Sequence, residues 1–216
     1  MPMKGTFFLI GHLFALLSSL GATELRFAKI FTDHGVLQRN MFVPVWGWAE
    51  PEVEVTVEFS SQKKRTTTDK TGRWMIRLDP MVANPKGQQL KATAVGSSVI
   101  LKDILVGEVW LASGQSNMGF SISKSTHAEE ARKLIPHPTL RRFKVGSYIA
   151  TKPLVDIGED GAFQHPHWRM GDVGKWRTVD NERHGLDWIS AVAAWFGHEV
   201  RISQGVPVGI IESHFG

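Results

Sequence analysis

The chain has 216 residues and a formal charge of +4, from 25 Lys and Arg against 21 Asp and Glu; 42% of its residues are apolar, 21% are charged, and none is cysteine. This suits a globular protein of one large or two small domains, and it excludes disulfides, thiolate-bound zinc, cysteine nucleophiles and a lipid anchor on cysteine. The basic residues are scattered. Their one tight run, Lys63-Lys64-Arg65, reads as a solvated hairpin tip rather than a nucleic-acid patch.

Residues 1–22 read as an export signal. Lys4 supplies the positive start, Phe7 to Leu20 the apolar stretch, and Gly21 and Ala22 the small residues at its close. The stretch is short for a membrane span and His12 interrupts it, although an uncleaved anchor is the alternative. The expectation is a secreted or periplasmic protein with no stable membrane association after cleavage.

From Leu25 to Ile104 the pattern is strand after strand. Val53, Val55, Val57 and Phe59 alternate with Glu54, Thr56 and Glu58, so one face is buried and the other wet. Asp69-Lys70-Thr71-Gly72 is a turn, after which Trp74, Ile76 and Leu78 line one face. Leu90, Ala92 and Ala94 repeat the alternation before the Gly96-Ser97 turn. Pro44 makes 43–48 an edge or bulged strand. Residues 23–104 are therefore expected to form an antiparallel β-sandwich. Trp46, Trp48 and Trp74 could stack on sugars, but their place in alternating strands favours core packing.

The pattern changes near Val106. Glu108 to Ala112 is a nearly continuous apolar run ending in Ser113-Gly114-Gln115-Ser116-Asn117, the signature of a buried parallel strand. Thr126-His127-Ala128-Glu129 predicts a capping box and a helix to about Leu134, and Leu140 to Val145 a second strand. Residues 146–186 show little periodicity and read as a long loop. A helix returns near Trp188, with Ile189, Val192, Ala193, Phe196 and Val200 on one face and Gly205 at its end. Val206 to Ile211 is a third strand. Residues 105–216 are thus expected to form a parallel α/β domain, short of strands and incomplete at its C-terminal side.

Ser116 stands just beyond the carboxyl end of the first strand of that domain, where α/β sheets place reactive groups. Small neighbours let a substrate carbonyl approach, and the Ser116 N–H can face a developing oxyanion. The spacing is Gly-Gln-Ser-Asn-Met and not the Gly-x-Ser-x-Gly elbow. A serine in such a loop equally serves as a helix cap, and the residues alone leave both uses open.

The block Gly107-Glu108-Val109-Trp110-Leu111-Ala112-Ser113-Gly114-Gln115-Ser116-Asn117-Met118 closely resembles the nucleophile block of sialate O-acetylesterases, members of the SGNH hydrolases. Val36-Leu37-Gln38-Arg39 with Pro44 to Trp48 resembles the β-sandwich ahead of that block, and Ser190 to Ala193 through Gly209 the helix and strand that lead to the second block. The resemblance implies a flavodoxin-like α/β domain after the sandwich and hydrolysis of O-acetylated sugars through an acetyl-Ser116 intermediate, with no cofactor or metal. Ser116 would be the nucleophile and Gln115 and Asn117 would touch substrate. Ser213-His214-Phe215-Gly216 matches the second block with Phe in place of Trp, which makes Gly216 an oxyanion donor.

The resemblance also implies an Asn and a His three residues after an Asp in later blocks. No Asp of this chain is followed by His at the third position. Asp180 with His184 and Asp160 with His165 are the nearest substitutes, at the wrong spacing. His165-Pro166-His167 reads as loop surface and His198 as solvated or packed. The expected partner is an O-acetylated carbohydrate, and this stretch alone is expected to be inactive. The alternative is a non-catalytic carbohydrate-binding module with a remnant hydrolase domain.

Overall fold

The computed structural model describes residues 24–146, 148–158, 163–164, 173–180 and 186–214. The apolar stretch at residues 1–22 lies outside them. The chain runs through β1 (Arg26–Phe27), β2 (Val36–Gln38), β3 (Val43–Trp48), β4 (Glu54–Phe59), β5 (Gln62–Thr67), β6 (Arg73–Leu78), β7 (Asn84–Ala94), β8 (Ser97–Gly114), α1 (Ala128–Leu134), β9 (His137–Lys144), β10 (Tyr148–Ile149), β11 (Phe163–Gln164), β12 (Trp176–Val179), α2 (Ala191–Gln204) and β13 (Val208–His214). The fold is mixed α/β, mostly sheet with few helices.

β1, β3 and β6 form one antiparallel sheet. A larger sheet has the order β12-β9-β13-β8-β7-β4-β5, with β2 also on β8. Val45, Trp74 and Leu78 from the small sheet share one core with Val55, Val57, Phe59 and Leu90 from the large one. The period-two pattern produces this core: every second residue of β4 and β6 is buried. A second core joins Ala112, Leu140, Val208 and Ile210 to Ala193 and Ala194 of α2. Position 104/105 falls inside β8, an unbroken strand of 18 residues that borders both cores.

β8, β13 and β9 are parallel, and β12 joins β9 antiparallel. β12 lies within the stretch expected to be loop. Its Trp176 is buried and donates its indole N–H to the Ile30 carbonyl at 2.8 Å. Pro44 sits where β3 pairs only with β6, because β1 reaches no further than Gly47 and Trp48. The missing N–H is tolerated on that open side.

Four local expectations need correction. Lys63, Lys64 and Arg65 lie along β5, where they face Glu58, Asp79 and Glu54 at 2.9, 2.6 and 3.6 Å. The tip of that hairpin is Ser60-Ser61. Helix α1 has His127 at its N-cap, with no side-chain cap bond, and Glu129 pairs with Arg132 instead of reaching back. Helix α2 buries Ala193, Ala194, Gly197 and His198, while Val192 and Phe196 are exposed. The sheet face beneath already carries Leu140 and Ile210, and a Cβ on Gly197 would lie 3.0 and 3.2 Å from them, so the helix docks through its small residues. The Glu108–Ala112 run is only partly buried: Trp110 and Leu111 are exposed, because this half of β8 pairs with β13 alone among the described residues.

Candidate active site

The carboxyl ends of β8, β13 and β9 meet at one edge of the sheet. The β8–β13 register sets Ala112 opposite Glu212, Ser113 opposite Ser213 and Gly114 opposite His214, and Lys144 of β9 lies opposite Glu212 on the other side. At Gly114 the chain leaves β8 with φ of 151°, a conformation that side chains rarely adopt. A tight turn follows, in which the Gly119 N–H donates to the Gln115 carbonyl at 3.0 Å.

Gln115, Ser116 and Asn117 are exposed on that turn. No described side chain hydrogen-bonds the Ser116 hydroxyl. Nor does Ser116 cap a helix, since α1 starts only at Ala128. The serine therefore stands at the mouth of the apolar strand with its hydroxyl open to approach. Gly216 lies outside the described residues, as do His165, His167, His184 and Asp160.

Below the turn sits a polar cluster that the sequence reading passed over. Glu212 is 1% exposed, and its carboxylate accepts the Ser190 N–H at 2.8 Å. Arg142 Nε stands 3.6 Å from one carboxylate oxygen and His214 Nε2 3.6 Å from the other. Ser190 caps α2 by accepting the Ala193 N–H at 3.2 Å, and its hydroxyl donates to Met118 Sδ at 3.3 Å. Ala191 N–H donates to the Phe120 carbonyl and Ile122 N–H to the Ile189 carbonyl. The N-terminus of α2 is thereby stitched to the turn that carries Ser116.

Burial pushes the Glu212 carboxyl up, but His214, the Arg142 guanidinium, the Ser190 N–H and the Lys144 ammonium outweigh it and hold the carboxyl below its ordinary value. Burial pushes the Lys144 ammonium down, Arg142 adds to that, and Glu212 opposes it. The signal for the cluster was present in the sequence. A carboxylate at position 212, continuing the alternation of Val208 and Ile210 on the same strand face, and two arginines inside Leu140-Arg141-Arg142-Phe143 are charges at buried positions, and such charges are paired.

Trp74 is 1% exposed and Trp48 9% exposed, so both are core. Trp46 is half-buried and lines two cavities. One, of about 280 Å³, also takes in Phe31, Val109 and Trp176; the other, of about 450 Å³, is bordered by Val145 and Gly146, at the sheet end that carries Ser116. Among the described residues no three His, Asp or Glu side chains converge to hold a metal ion. No described helix is long and apolar enough to cross a membrane.

No protein-family profile matches the chain. It is 28% identical over 228 residues to a sialate O-acetylesterase of Mus musculus, covering all of this chain and 40% of that protein. It is 29% identical over 206 residues to the sialate O-acetylesterase of Homo sapiens, covering 88% and 37%. Its fold matches the crystal structure of a carbohydrate acetylesterase from Xanthomonas citri with a TM-score of 0.76 and 29% identity, over 88% of this chain and 40% of that one. The solved fold and the curated relatives to which the chain is similar are therefore acetylesterases. Among the curated relatives the chain is similar to sialate O-acetylesterases, and it spans about 40% of the length of the relatives it matches.

Proposed function

We propose that this chain carries the nucleophile of a serine esterase that removes O-acetyl groups from sugars. The reading joins the antiparallel sandwich of residues 23–104 to an SGNH-type α/β domain from residue 105, with residues 1–22 directing export. The observation that carries it is Ser116, exposed and without a hydrogen-bond partner among the described side chains, on a tight turn at the carboxyl end of β8, in a chain similar to acetylesterases.

In this mechanism Ser116 Oγ bonds to the acetyl carbon and its proton leaves to a base. The Ser116 N–H holds the oxyanion, with Gly216 as a second donor, while Gln115 and Asn117 border the sugar. The C–O bond to the sugar breaks and the sugar oxygen takes up a proton. Water then hydrolyses acetyl-Ser116 to acetate. The base that the family resemblance calls for, a His three residues after an Asp, has no counterpart in these 216 residues, so they are proposed to be inactive by themselves.

Acetate release from O-acetylated sialic acids and from p-nitrophenyl acetate tests this, with Ser116→Ala beside the parent, in the 216 residues and in the complete gene product that contains them. Release by the complete product that Ser116→Ala abolishes supports the reading. Release unaffected by Ser116→Ala ends it. The half-buried Trp46 beside two cavities favours the second reading, a carbohydrate-binding module. That reading requires sugar binding that Trp46→Ala abolishes, with no ester cleavage by the complete product.

A further inference from the structure

The larger cavity beside Trp46, of about 450 Å³, has no part in the mechanism above. It lies where three stretches of chain meet: Ile30 and Trp46 of the sandwich, Val145 and Gly146 just past β9, and residues 154–158. Each wall is tied in place from behind. The Trp46 ring meets Phe31 edge-on at 4.8 Å, and the Trp46 carbonyl accepts the Ala28 N–H at 3.0 Å. The Ile30 carbonyl accepts the Trp176 indole N–H. The Val145 N–H donates to the Glu212 carbonyl at 2.9 Å. The third wall is held by Asp156, whose side chain is 4% exposed. Its carboxylate accepts from Arg26 at 2.8 Å and from the Lys29 and Ile157 N–H groups at 3.1 and 2.9 Å, while Lys29 Nζ donates to the Gly158 carbonyl at 3.0 Å. Interiors are otherwise close-packed, and a mostly apolar space with fixed walls is how small-molecule sites are built. The volume falls in the range of such sites, about 300–1,000 Å³.

Strand register relates this cavity to Ser116. β13 lies between β8 and β9, so those two strands run about 10 Å apart, at about 4.8 Å per neighbour. Glu212 stands opposite both Ala112 and Lys144, so Gly114 and Gly146, each two residues further on, leave the same end of the sheet. Gly114 leads into the turn that carries Ser116, and Gly146 borders the cavity.

We propose that this cavity is a subsite for the sugar unit next to the acetylated one: while Ser116 attacks the ester, the neighbouring ring lies against the Trp46 indole. The inference rests on the esterase reading and deepens it. A pyranose ring carries C–H groups on its faces and hydroxyls around its rim. The faces match an indole flanked by Ile30, Leu154 and Ile157, and the hydroxyls stay at the open mouth in water. A cationic ligand finds no free partner among the described lining residues, because the Asp156 carboxylate is committed to Arg26, Lys29 and Ile157. The substrate would then rest on two supports. The acetylated unit meets the end of the parallel sheet, and its neighbour meets the sandwich, so the sandwich selects for a sugar chain over a single sugar.

Kinetics of the complete gene product test this with two probes: an O-acetylated sialic acid alone, and the same acetylated sialic acid as the end unit of sialyllactose. The readout is the ratio of kcat/KM for the second probe over the first. Trp46→Ala is expected to lower that ratio about tenfold, through KM for the sialyllactose probe. A variant that merely loosens the fold slows both probes alike, so an unchanged ratio overturns the proposal and leaves the esterase reading intact. Should Trp46→Ala fail to fold, Leu154→Arg fills the cavity from a position 36% exposed and is expected to lower the ratio in the same way; an unchanged ratio there is equally fatal. Saturation-transfer NMR with unacetylated sialyllactose reads binding without chemistry. Transfer to the lactose protons is expected in the parent and is lost in Trp46→Ala; its absence from the parent overturns the subsite. Absence of Ser116-dependent cleavage of either probe defeats the esterase reading, and the NMR arm then decides the cavity alone.

Discussion

The Glu212 carboxylate accepts the Ser190 backbone N–H at 2.8 Å, which ties the end of β13 to the start of α2 at the point where Ser190 Oγ reaches Met118. One buried acid thereby connects strand, helix and the turn that carries Ser116.

Replacing Glu212 with Gln leaves the Arg142 guanidinium, on a side chain 3% exposed, beside a neutral amide. Breaking a buried pair in this way costs about 3 kcal/mol, read as a shift in the urea midpoint at pH 7. The carboxyl is held below its ordinary value in the folded state, so its stabilising effect is complete above the unfolded value, about pH 4.3, and fades as pH falls through the lower folded value. The gap between parent and Glu212→Gln should therefore close on acidification below about pH 4.

Ser116→Ala should leave stability within about 0.5 kcal/mol of the parent, because the hydroxyl it removes is exposed and has no partner among the described side chains. Loss of esterase activity in the complete product alongside an unchanged melting curve separates a chemical role from a structural one.

Gly107 lies against the chain entering β13. A Cβ there would stand 2.0 Å from the Pro207 carbonyl oxygen, which accepts the Glu108 N–H. Gly107→Ala must push β13 from β8 and is expected to cost at least about 2 kcal/mol, measured by chemical denaturation. The register that sets His214 opposite Gly114 should suffer with it.

Helix α2 offers a paired test of which face is buried. Val192→Lys, on the exposed face, should change stability by less than about 0.5 kcal/mol, whereas Ala194→Lys, at a fully buried position, should prevent folding at 37 °C. Soluble yield and thermal melts read both.

The strands of the first half were legible because period-two alternation is strong in Val53 to Phe59 and Trp74 to Leu78, where one face meets a core. The Asp69–Gly72 turn was legible for a local reason: the Asp69 carboxylate accepts the N–H groups of Thr71 and Arg73, chemistry contained within five residues. The packed face of α2 was not legible. Apolar spacing pointed to Val192 and Phe196, but the docking distance is set by Leu140 and Ile210 on other strands, and only small residues fit there. Phe196 instead meets Trp110 edge-on at 5.1 Å. β12 was missed because four residues carry too little period to stand out from their loop. At the candidate site, Ser116 was found through its motif and its place after an apolar strand. Glu212, His214 and Arg142 were not, since their meaning comes from a register between strands far apart in sequence.

The most direct test is acid-quenched mass spectrometry of the complete gene product after brief exposure to an O-acetylated sialic acid. The esterase reading predicts an acetyl group on the peptide bearing Ser116, absent from Ser116→Ala, with deacetylated sugar in step. Deacetylated sugar formed at the parent rate by Ser116→Ala, with no acetyl on that peptide, would contradict it.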